Sequence, residues 1–192
     1  ISVVLPMDEK RKWVFKTTQN DGLVADKLLQ HMKENGVQSL AFIGTSDAYG
    51  ETWYHELSKR LDQWGITLVA NERFNRPDTS ATGQVLKMIN AQPDAVLIAA
   101  PGGPAVTPQI GLKERGYEGV IYQTHGAALN DFIRLGGAAV EDTILGGSLM
   151  LVPEQISDEN PSKQVAVNYM NEYQERYGTK PATFGGNVYD AW

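Results

Sequence analysis

Residues 93–103 read PDAVLIAAPGG, and this stretch decides the fold class. An unbroken apolar run over 95–100, followed by Pro101 and Gly102, is typical of a strand that is buried on both faces of a parallel sheet. The run is far shorter than the roughly 20 apolar residues that a membrane-spanning helix needs. The stretch therefore indicates an α/β protein in which helices cover both faces of the sheet.

More apolar segments flank this strand and extend the pattern. They occupy residues 39–44, 66–70, 120–124 and 143–150. Between them the apolar residues recur with a helical period, which predicts covering helices over 20–35, 51–64, 107–115 and 128–135 and a further helix capped by Ser80. Strands that alternate with helices, joined by right-handed crossovers, predict a Rossmann-like parallel sheet of order 2-1-3-4-5 within residues 20–150.

The two ends of the chain differ from this repeating middle. Residues 1–6 predict a strand of a preceding domain, and residues 12–18 predict an extended crossover. Near the other end, Asn160 and Pro161 are typical of a helix start, and Gly178 is typical of its end. We therefore assign the chain to four parts: the end of an incomplete first lobe at 1–12, a crossover at 13–19, a whole second lobe at 20–150, and a return into the incomplete first lobe at 151–192.

The composition argues against several classes of partner and site. The chain has 17 Lys and Arg against 23 Asp and Glu, which gives a net charge of −6, and the two signs are mixed along the sequence. Because no basic stripe is present, we expect no nucleic-acid partner. The sequence has 0 Cys, which removes disulfides, thiol nucleophiles and thiolate metal sites.

The search for catalytic motifs gives no positive result. Residues 44–48, GTSDA, lack the second glycine of a nucleophile elbow, and the glycine patterns that bind phosphates or dinucleotides are absent. His31, His55 and His125 do not have the spacing of metal ligands, and we expect His31 and His55 on solvated helix faces. We therefore expect no catalytic residue, no metal and no cofactor.

A candidate binding site follows the predicted strands at their carboxyl ends. Tyr49 comes after the strand at 39–44, Pro101 and Gly102 follow 95–100, and His125 directly follows 120–124. In parallel α/β sheets these strand ends form the ligand crevice. An aromatic ring, exposed backbone and an imidazole without a paired nucleophile favour binding over turnover. A loop histidine with no function is the alternative for His125.

Several short segments together resemble a known family. SDAYG at 46–50, the stretch 95–103, QTHG at 123–126, PATF at 181–184 and YDA at 189–191 are similar in order and spacing to the branched-chain amino acid binding receptors of bacterial ABC importers. The resemblance implies the type I periplasmic-binding fold, with 20–150 as the second, ligand-binding lobe. It also implies a monomeric, non-catalytic periplasmic receptor that has a signal peptide before this chain and an ABC permease in the inner membrane as its partner.

The resemblance also assigns ligand contacts. Tyr49 matches a ligand-contacting tyrosine, Pro101 or Gly102 occupies a position where the family often has an aromatic residue, and Phe184 matches an aromatic residue that the other lobe contributes. His125 falls where amino acid receptors have an acid that pairs with the ligand ammonium. An imidazole is neutral or positive near neutral pH, so we expect a small carboxylate-bearing ligand, an aromatic acid or an amino acid-like compound, with acids that lack an ammonium group preferred.

A second hypothesis assumes the same fold but a sensory function in place of transport. The same two-lobed fold occurs as a ligand-sensing domain of transcription regulators and membrane sensors, where closure acts on an attached domain. A helix-turn-helix or a transmembrane helix in the longer protein would favour the sensor, and a signal peptide would favour the receptor. An enzyme is the third hypothesis, because fold alone does not decide function.

Overall fold

The computed structural model describes residues 7–192, so the strand predicted for 1–6 lies outside the described residues. The chain divides into two compact units. Residues 21–147 form one unit, and residues 148–192 belong with the segment before residue 21 to the other. The assignment of these segments to lobes and crossovers stays a prediction.

A parallel sheet forms the centre of the 21–147 unit. Its strands are β1 (Ser39–Thr45), β2 (Thr67–Phe74), β3 (Ala95–Ala99), β4 (Val120–Gln123) and β5 (Ile144–Leu145). They lie in the order β2-β1-β3-β4-β5, and every neighbouring pair is parallel. The predicted Rossmann-like sheet of order 2-1-3-4-5 is confirmed.

Helices cover both faces of this sheet. They are α1 (Asp21–Glu34), α2 (Ala48–Ser58), α3 (Leu61–Trp64), α4 (Thr82–Asn90), α5 (Val106–Glu114) and α6 (Asn130–Gly136). Leu29 of α1 and Trp53 of α2 belong to the core on one face, and Met88 of α4 and Leu112 of α5 belong to the core on the other. Because β3 contributes to both cores, its side chains are buried throughout, as the continuous apolar run predicts.

The fifth strand is shorter than the sequence predicts. The apolar pattern predicts a strand over 143–150, but β5 ends at Leu145, and a short 3-10 turn occupies Leu149–Leu151. A Cβ atom on Gly146 would lie 2.3 Å from Val24 Cγ1, so the chain passes close to α1 at a point where only glycine fits. The Ser148 hydroxyl then accepts the Met150 N–H at 3.3 Å, which favours a turn over further strand pairing.

The helix predicted over 51–64 is two helices, α2 and α3. It starts earlier than predicted, at Ala48, because the Asp47 carboxylate caps it. The break falls at Lys59 and Arg60, where the Arg60 guanidinium pairs with Glu56 at 2.7 Å and with Asp26 at 3.1 Å. The apolar residues keep a helical spacing across the break, so their periodicity does not detect it.

The unit that contains 148–192 is mainly helical. Its helices are α7 (Lys163–Tyr177) and α8 (Gly185–Asp190). The sequence predicts that α7 starts at Asn160 and Pro161, but the helix begins only at Lys163. Asn160 instead forms a turn before the helix, in which its side chain accepts the Ser162 N–H at 2.9 Å. Residues 9–13 form turns, so the extended segment predicted from residue 12 begins later. Over the described range 7–192, no helix has the length and apolar content needed to cross a membrane.

Candidate functional site

The carboxyl edge of the sheet brings several loops together. β1, β3 and β4 are parallel neighbours, so the segments that follow them start at one edge. Tyr49 lies in the first turn of α2, Pro101 and Gly102 follow β3, and His125 follows β4. Helix α1 immediately precedes β1, so Asp21, the first residue of α1, lies at this same edge.

The Tyr49 hydroxyl ties α2 to the loop after β4. It shares a hydrogen bond with the Thr124 hydroxyl at 2.9 Å and accepts the Gly126 N–H at 3.1 Å. Burial raises the pKa of Tyr49, although the hydrogen bonds from Thr124 and Gly126 act in the opposite direction. Because the hydroxyl is already hydrogen-bonded within the unit, the ring is the part of Tyr49 that offers a contact surface.

Asp47 fixes the first turn of α2 and therefore the position of Tyr49. Its Oδ1 accepts the N–H groups of Tyr49 at 2.9 Å and Gly50 at 3.3 Å and the Thr45 hydroxyl at 2.8 Å, and its Oδ2 pairs with Arg76. Burial acts to raise the pKa of Asp47, but the hydrogen bonds from Arg76, Thr45 and the backbone outweigh it and hold the pKa at about 2. The cap is therefore a carboxylate at neutral pH.

Two glycines let the loops after β3 and β4 approach each other. The Gly102 N–H donates to the Gly126 carbonyl at 2.8 Å, and Gly102 has a φ of 59°, a conformation that favours glycine. A Cβ on Gly126 would lie 2.3 Å from the Tyr49 hydroxyl oxygen and 3.3 Å from Pro101 Cα. The structure therefore brings Tyr49, Pro101, Gly102 and His125 together, and Gly126 joins them as a residue that we did not single out from the sequence.

His125 lies between aromatic rings and an acid. Its ring centroid is 5.5 Å from that of Trp53, which is fully buried, and 6.5 Å from that of Tyr49. His125 Nε2 lies 3.6 Å from Asp21 Oδ1, and the two side chains are only 14% and 18% exposed. The resemblance implies that His125 stands where amino acid receptors have an acid. The structure adds a carboxylate beside that imidazole, supplied by α1.

Asp21 and Trp53 were not predicted as site residues. In the sequence, Trp53 is explained as a core residue on the apolar face of α2, so the pattern gives no indication of its contact with His125. The sequence does contain one indication for Asp21. It is the first residue of the helix that precedes the first strand of the sheet, and such a helix begins at the carboxyl edge of the sheet.

The other histidines differ from each other. His55 is exposed on α2, as expected. His31 is half-buried, and its Nδ1 lies 3.0 Å from the Tyr122 hydroxyl, so the expectation of a solvated side chain is wrong for His31. Within residues 7–192, no group of three or more His, Cys, Asp and Glu side chains is arranged to hold a metal ion.

Phe184 belongs to the other unit, where it directly precedes α8 and is half-buried. Its predicted place opposite the other candidate residues stays a prediction.

Comparison with known proteins relates nearly the whole chain to one family. The family model described as "Periplasmic binding protein" matches residues 2–192. An extracellular ligand-binding receptor from Rhodopseudomonas palustris HaA2 is 42% identical, with a TM-score of 0.90, over 98% of this chain and 53% of the receptor. A second extracellular ligand-binding receptor from Rhodopseudomonas palustris is 41% identical, with a TM-score of 0.88, over 97% of this chain and 52% of that one.

A more distant structure shares the fold. A leucine-binding protein from Thermotoga maritima is 22% identical, with a TM-score of 0.81, over 95% of this chain and 51% of that protein. None of the curated protein sequences matches the chain. The chain spans about half the length of the solved relatives that it matches.

Proposed function

Because this chain belongs to the periplasmic binding protein family, we propose that it contributes the second lobe of a non-catalytic receptor for a small molecule. Two relatives that are more than 40% identical carry the description of extracellular ligand-binding receptors, which supports this proposal. In the full-length protein the ligand binds between two hinged lobes in the periplasm, and the closed form delivers it to an ABC permease of the inner membrane.

One observation carries the assignment of the site. The loops after β3 and β4 and the start of α2 are tied together by the Gly102 to Gly126 hydrogen bond at 2.8 Å and by the Tyr49 hydroxyl. A site that is held in place before the ligand arrives loses less conformational entropy on binding. The arrangement therefore favours a binding surface formed by Tyr49, Pro101, Gly102 and His125.

The chemistry of this surface selects the ligand class. A ring can pack against Tyr49, and an imidazole N–H of His125 donates to an oxygen of the ligand, whether carboxylate, phenolic or carbonyl. An ammonium group would gain no acceptor from the imidazole N–H of His125, and it would have to compete with His125 for the Asp21 carboxylate, which lies 3.6 Å from Nε2. We therefore assign a small carboxylate-bearing ligand, with aromatic acids preferred to branched-chain amino acids.

Closure supplies the mechanism of the receptor. Contacts that form only when both lobes meet the ligand shift the population from the open to the closed form, because the shift is set by the difference in affinity between the two forms. Phe184 is the residue that we assign to the opposing lobe, where its ring covers the ligand.

A thermal-shift screen of the full-length protein tests this function. A ligand that binds only the native state raises the melting temperature. We expect aromatic acids to raise it more than aliphatic acids, amino acids or sugars do, and we expect His125→Gln to reduce that rise. His55→Gln changes an exposed histidine on α2 and serves as the matched control. A response to sugars alone, or equal responses of the two variants, would contradict the proposal.

A further inference from the structure

We infer that Gln109 and Gln123 are positioning residues of the binding surface. They form a buried pair of amides that holds the loops after β3 and β4 from the face of the sheet opposite Tyr49. Both side chains are fully buried, so they act through the backbone of these loops and not by touching a ligand. The inference rests on the proposed function of the carboxyl edge as the binding surface, and it adds two residues that the sequence patterns did not single out.

The two faces of the sheet hold the end of β4 in different ways. Gln123 is the last residue of β4, and Gln109 lies in α5. Side chains alternate between the faces of a strand, so Gln123 points to the face covered by α5, whereas Thr124 points to the face covered by α2 and meets Tyr49. The segment that leads to His125 is therefore fixed from both sides.

The two amides form a chain of hydrogen bonds with one direction. Gln123 Nε2 donates to the Ala105 carbonyl at 3.2 Å and to Gln109 Oε1 at 2.8 Å. Gln109 Nε2 donates in turn to the Ala139 carbonyl at 2.9 Å and to the Thr143 hydroxyl. Both N–H groups of each amide are used, and turning either amide over would set an oxygen against a carbonyl oxygen. The chain therefore permits a single arrangement of both side chains.

This chain of hydrogen bonds joins three segments at the edge of the sheet. Ala105 ends the turn after β3, and its N–H donates to the Gly102 carbonyl at 3.1 Å. Gln123 directly precedes the loop after β4, and Thr143 directly precedes β5. Without the Gln123 amide, the hydrogen bond from Gly102 to Gly126 would connect the first two segments with no support from the α5 face.

Packing alone does not account for two glutamines at these positions. The same face of the sheet has an apolar core, to which Ala105, Leu112 and Ile121 belong. A buried amide loses its hydration, and its hydrogen bonds return only a small net gain in stability, so apolar side chains of the same shape serve a core about as well. The directional hydrogen bonds are what an apolar pair would not supply. We therefore assign the two amides to the placement of the loops.

Calorimetry on the full-length protein tests the inference with benzoate and 3-phenylpropanoate as probes. Gln123→Met keeps the length of the side chain and removes its hydrogen bonds. We expect it to weaken binding of the probes about tenfold, the order expected of a residue that supports a binding group without touching the ligand. Gln63→Met makes the same change at an exposed position of α3 and should leave the affinity unchanged.

Two further variants separate positioning from stability. Met88→Ala truncates a buried side chain of the core on the same face, so it should lower the free energy of unfolding and leave the affinity of the folded protein unchanged. Gln109→Met should weaken binding in the wild type but add little to the loss in Gln123→Met, because the two amides act as one chain. Should Gln123→Met not fold, Gln109→Met alone tests the same link.

Nuclear magnetic resonance of the ligand-free full-length protein reports the loop positions without a probe. The Gly102 N–H donates to the Gly126 carbonyl at 2.8 Å, and the Gly126 N–H donates to the Tyr49 hydroxyl at 3.1 Å. The proton chemical shifts of these two amides depend on the lengths of those hydrogen bonds. We expect both resonances to move in Gln123→Met and to stay in place in Gln63→Met.

The outcomes distinguish the inference from the proposed function. Unchanged affinity of Gln123→Met for a probe that binds the wild type, or unchanged Gly102 and Gly126 resonances, would overturn the inference and leave the receptor function in place. An equal loss of affinity in Met88→Ala would also overturn it, because stability alone would then set the affinity. If neither probe binds the wild type, the proposed ligand class is wrong, and the two resonances still decide the inference.

Discussion

Gly126→Ala is the substitution for which the structure makes the sharpest prediction. The added methyl would lie 2.3 Å from the Tyr49 hydroxyl oxygen and 2.8 Å from the ring carbon that carries it, and the Pro101 backbone is 3.3 Å away on another side. The separations of 2.3 and 2.8 Å from Tyr49 are too short for any side chain, and the 3.3 Å from Pro101 is tight. Either the Tyr49 ring or the loop after β4 must move.

The expected loss of stability has two parts. Moving the ring breaks the hydrogen bonds of the Tyr49 hydroxyl to Thr124 and Gly126, each of which contributes about 1 kcal/mol. Crowding in a well-packed region adds about 1–3 kcal/mol. We therefore expect Gly126→Ala to lower the free energy of unfolding by roughly 3–5 kcal/mol, measured by urea unfolding of the full-length protein and followed by circular dichroism.

Two comparisons isolate the cause. In a Tyr49→Phe background the closest clashing atom is gone, so Gly126→Ala should cost less there than in the wild type. Gly83→Ala in α4 is the matched control, because its Cβ has no neighbour within 4 Å and alanine favours a helix. Should Gly126→Ala unfold with the wild-type free energy, or cost the same in both backgrounds, the packing of Tyr49 on Gly126 is wrong.

The remaining predictions concern three residues at the start of α2. Gly50→Ala should lower the free energy of unfolding by about 3 kcal/mol or more, since its Cβ would meet the Thr45 backbone and no side chain can move aside; urea unfolding measures this. Asp47→Ala should cost about 1 kcal/mol at neutral pH through the lost cap. The pKa of Asp47, held at about 2, lies below its ordinary value of 3.8, so this carboxylate stabilises the fold at pH above 3.8 and that stabilisation disappears as the pH falls towards 2. In the Asp47→Asn variant, the free energy of unfolding should therefore change less with pH between 3.8 and 2 than it does in the wild type. Tyr49→Ala should weaken ligand binding by about 1–3 kcal/mol in calorimetry.

The sheet was predictable because local pattern and long-range topology agree. The apolar run at 95–100 has a single favourable environment, a strand covered on both faces, and the helical segments between strands restrict the order of the sheet. The strand predicted over 143–150 shows where this reasoning stops. Gly146 approaches Val24 of α1, and no local pattern contains that contact.

The candidate site was predictable only at the strand ends. Tyr49, Pro101, Gly102 and His125 lie within a few residues of strand ends, so the parallel topology alone brings them to one edge. The contact of Asp21 with His125 depends on where α1 begins and on the rotamers of both side chains, which the sequence pattern does not specify. The charge next to His125 could therefore be determined only from the structure.

Calorimetry of the full-length protein with aromatic acids such as benzoate and 3-phenylpropanoate and with leucine, isoleucine and valine tests the central claim most directly. We predict that the aromatic acids bind more tightly than the three amino acids and that His125→Gln weakens the acids while His55→Gln does not. Tight binding of leucine, isoleucine or valine, together with no response to any acid that lacks an amino group, would contradict the assignment of His125 and the ligand class built on it.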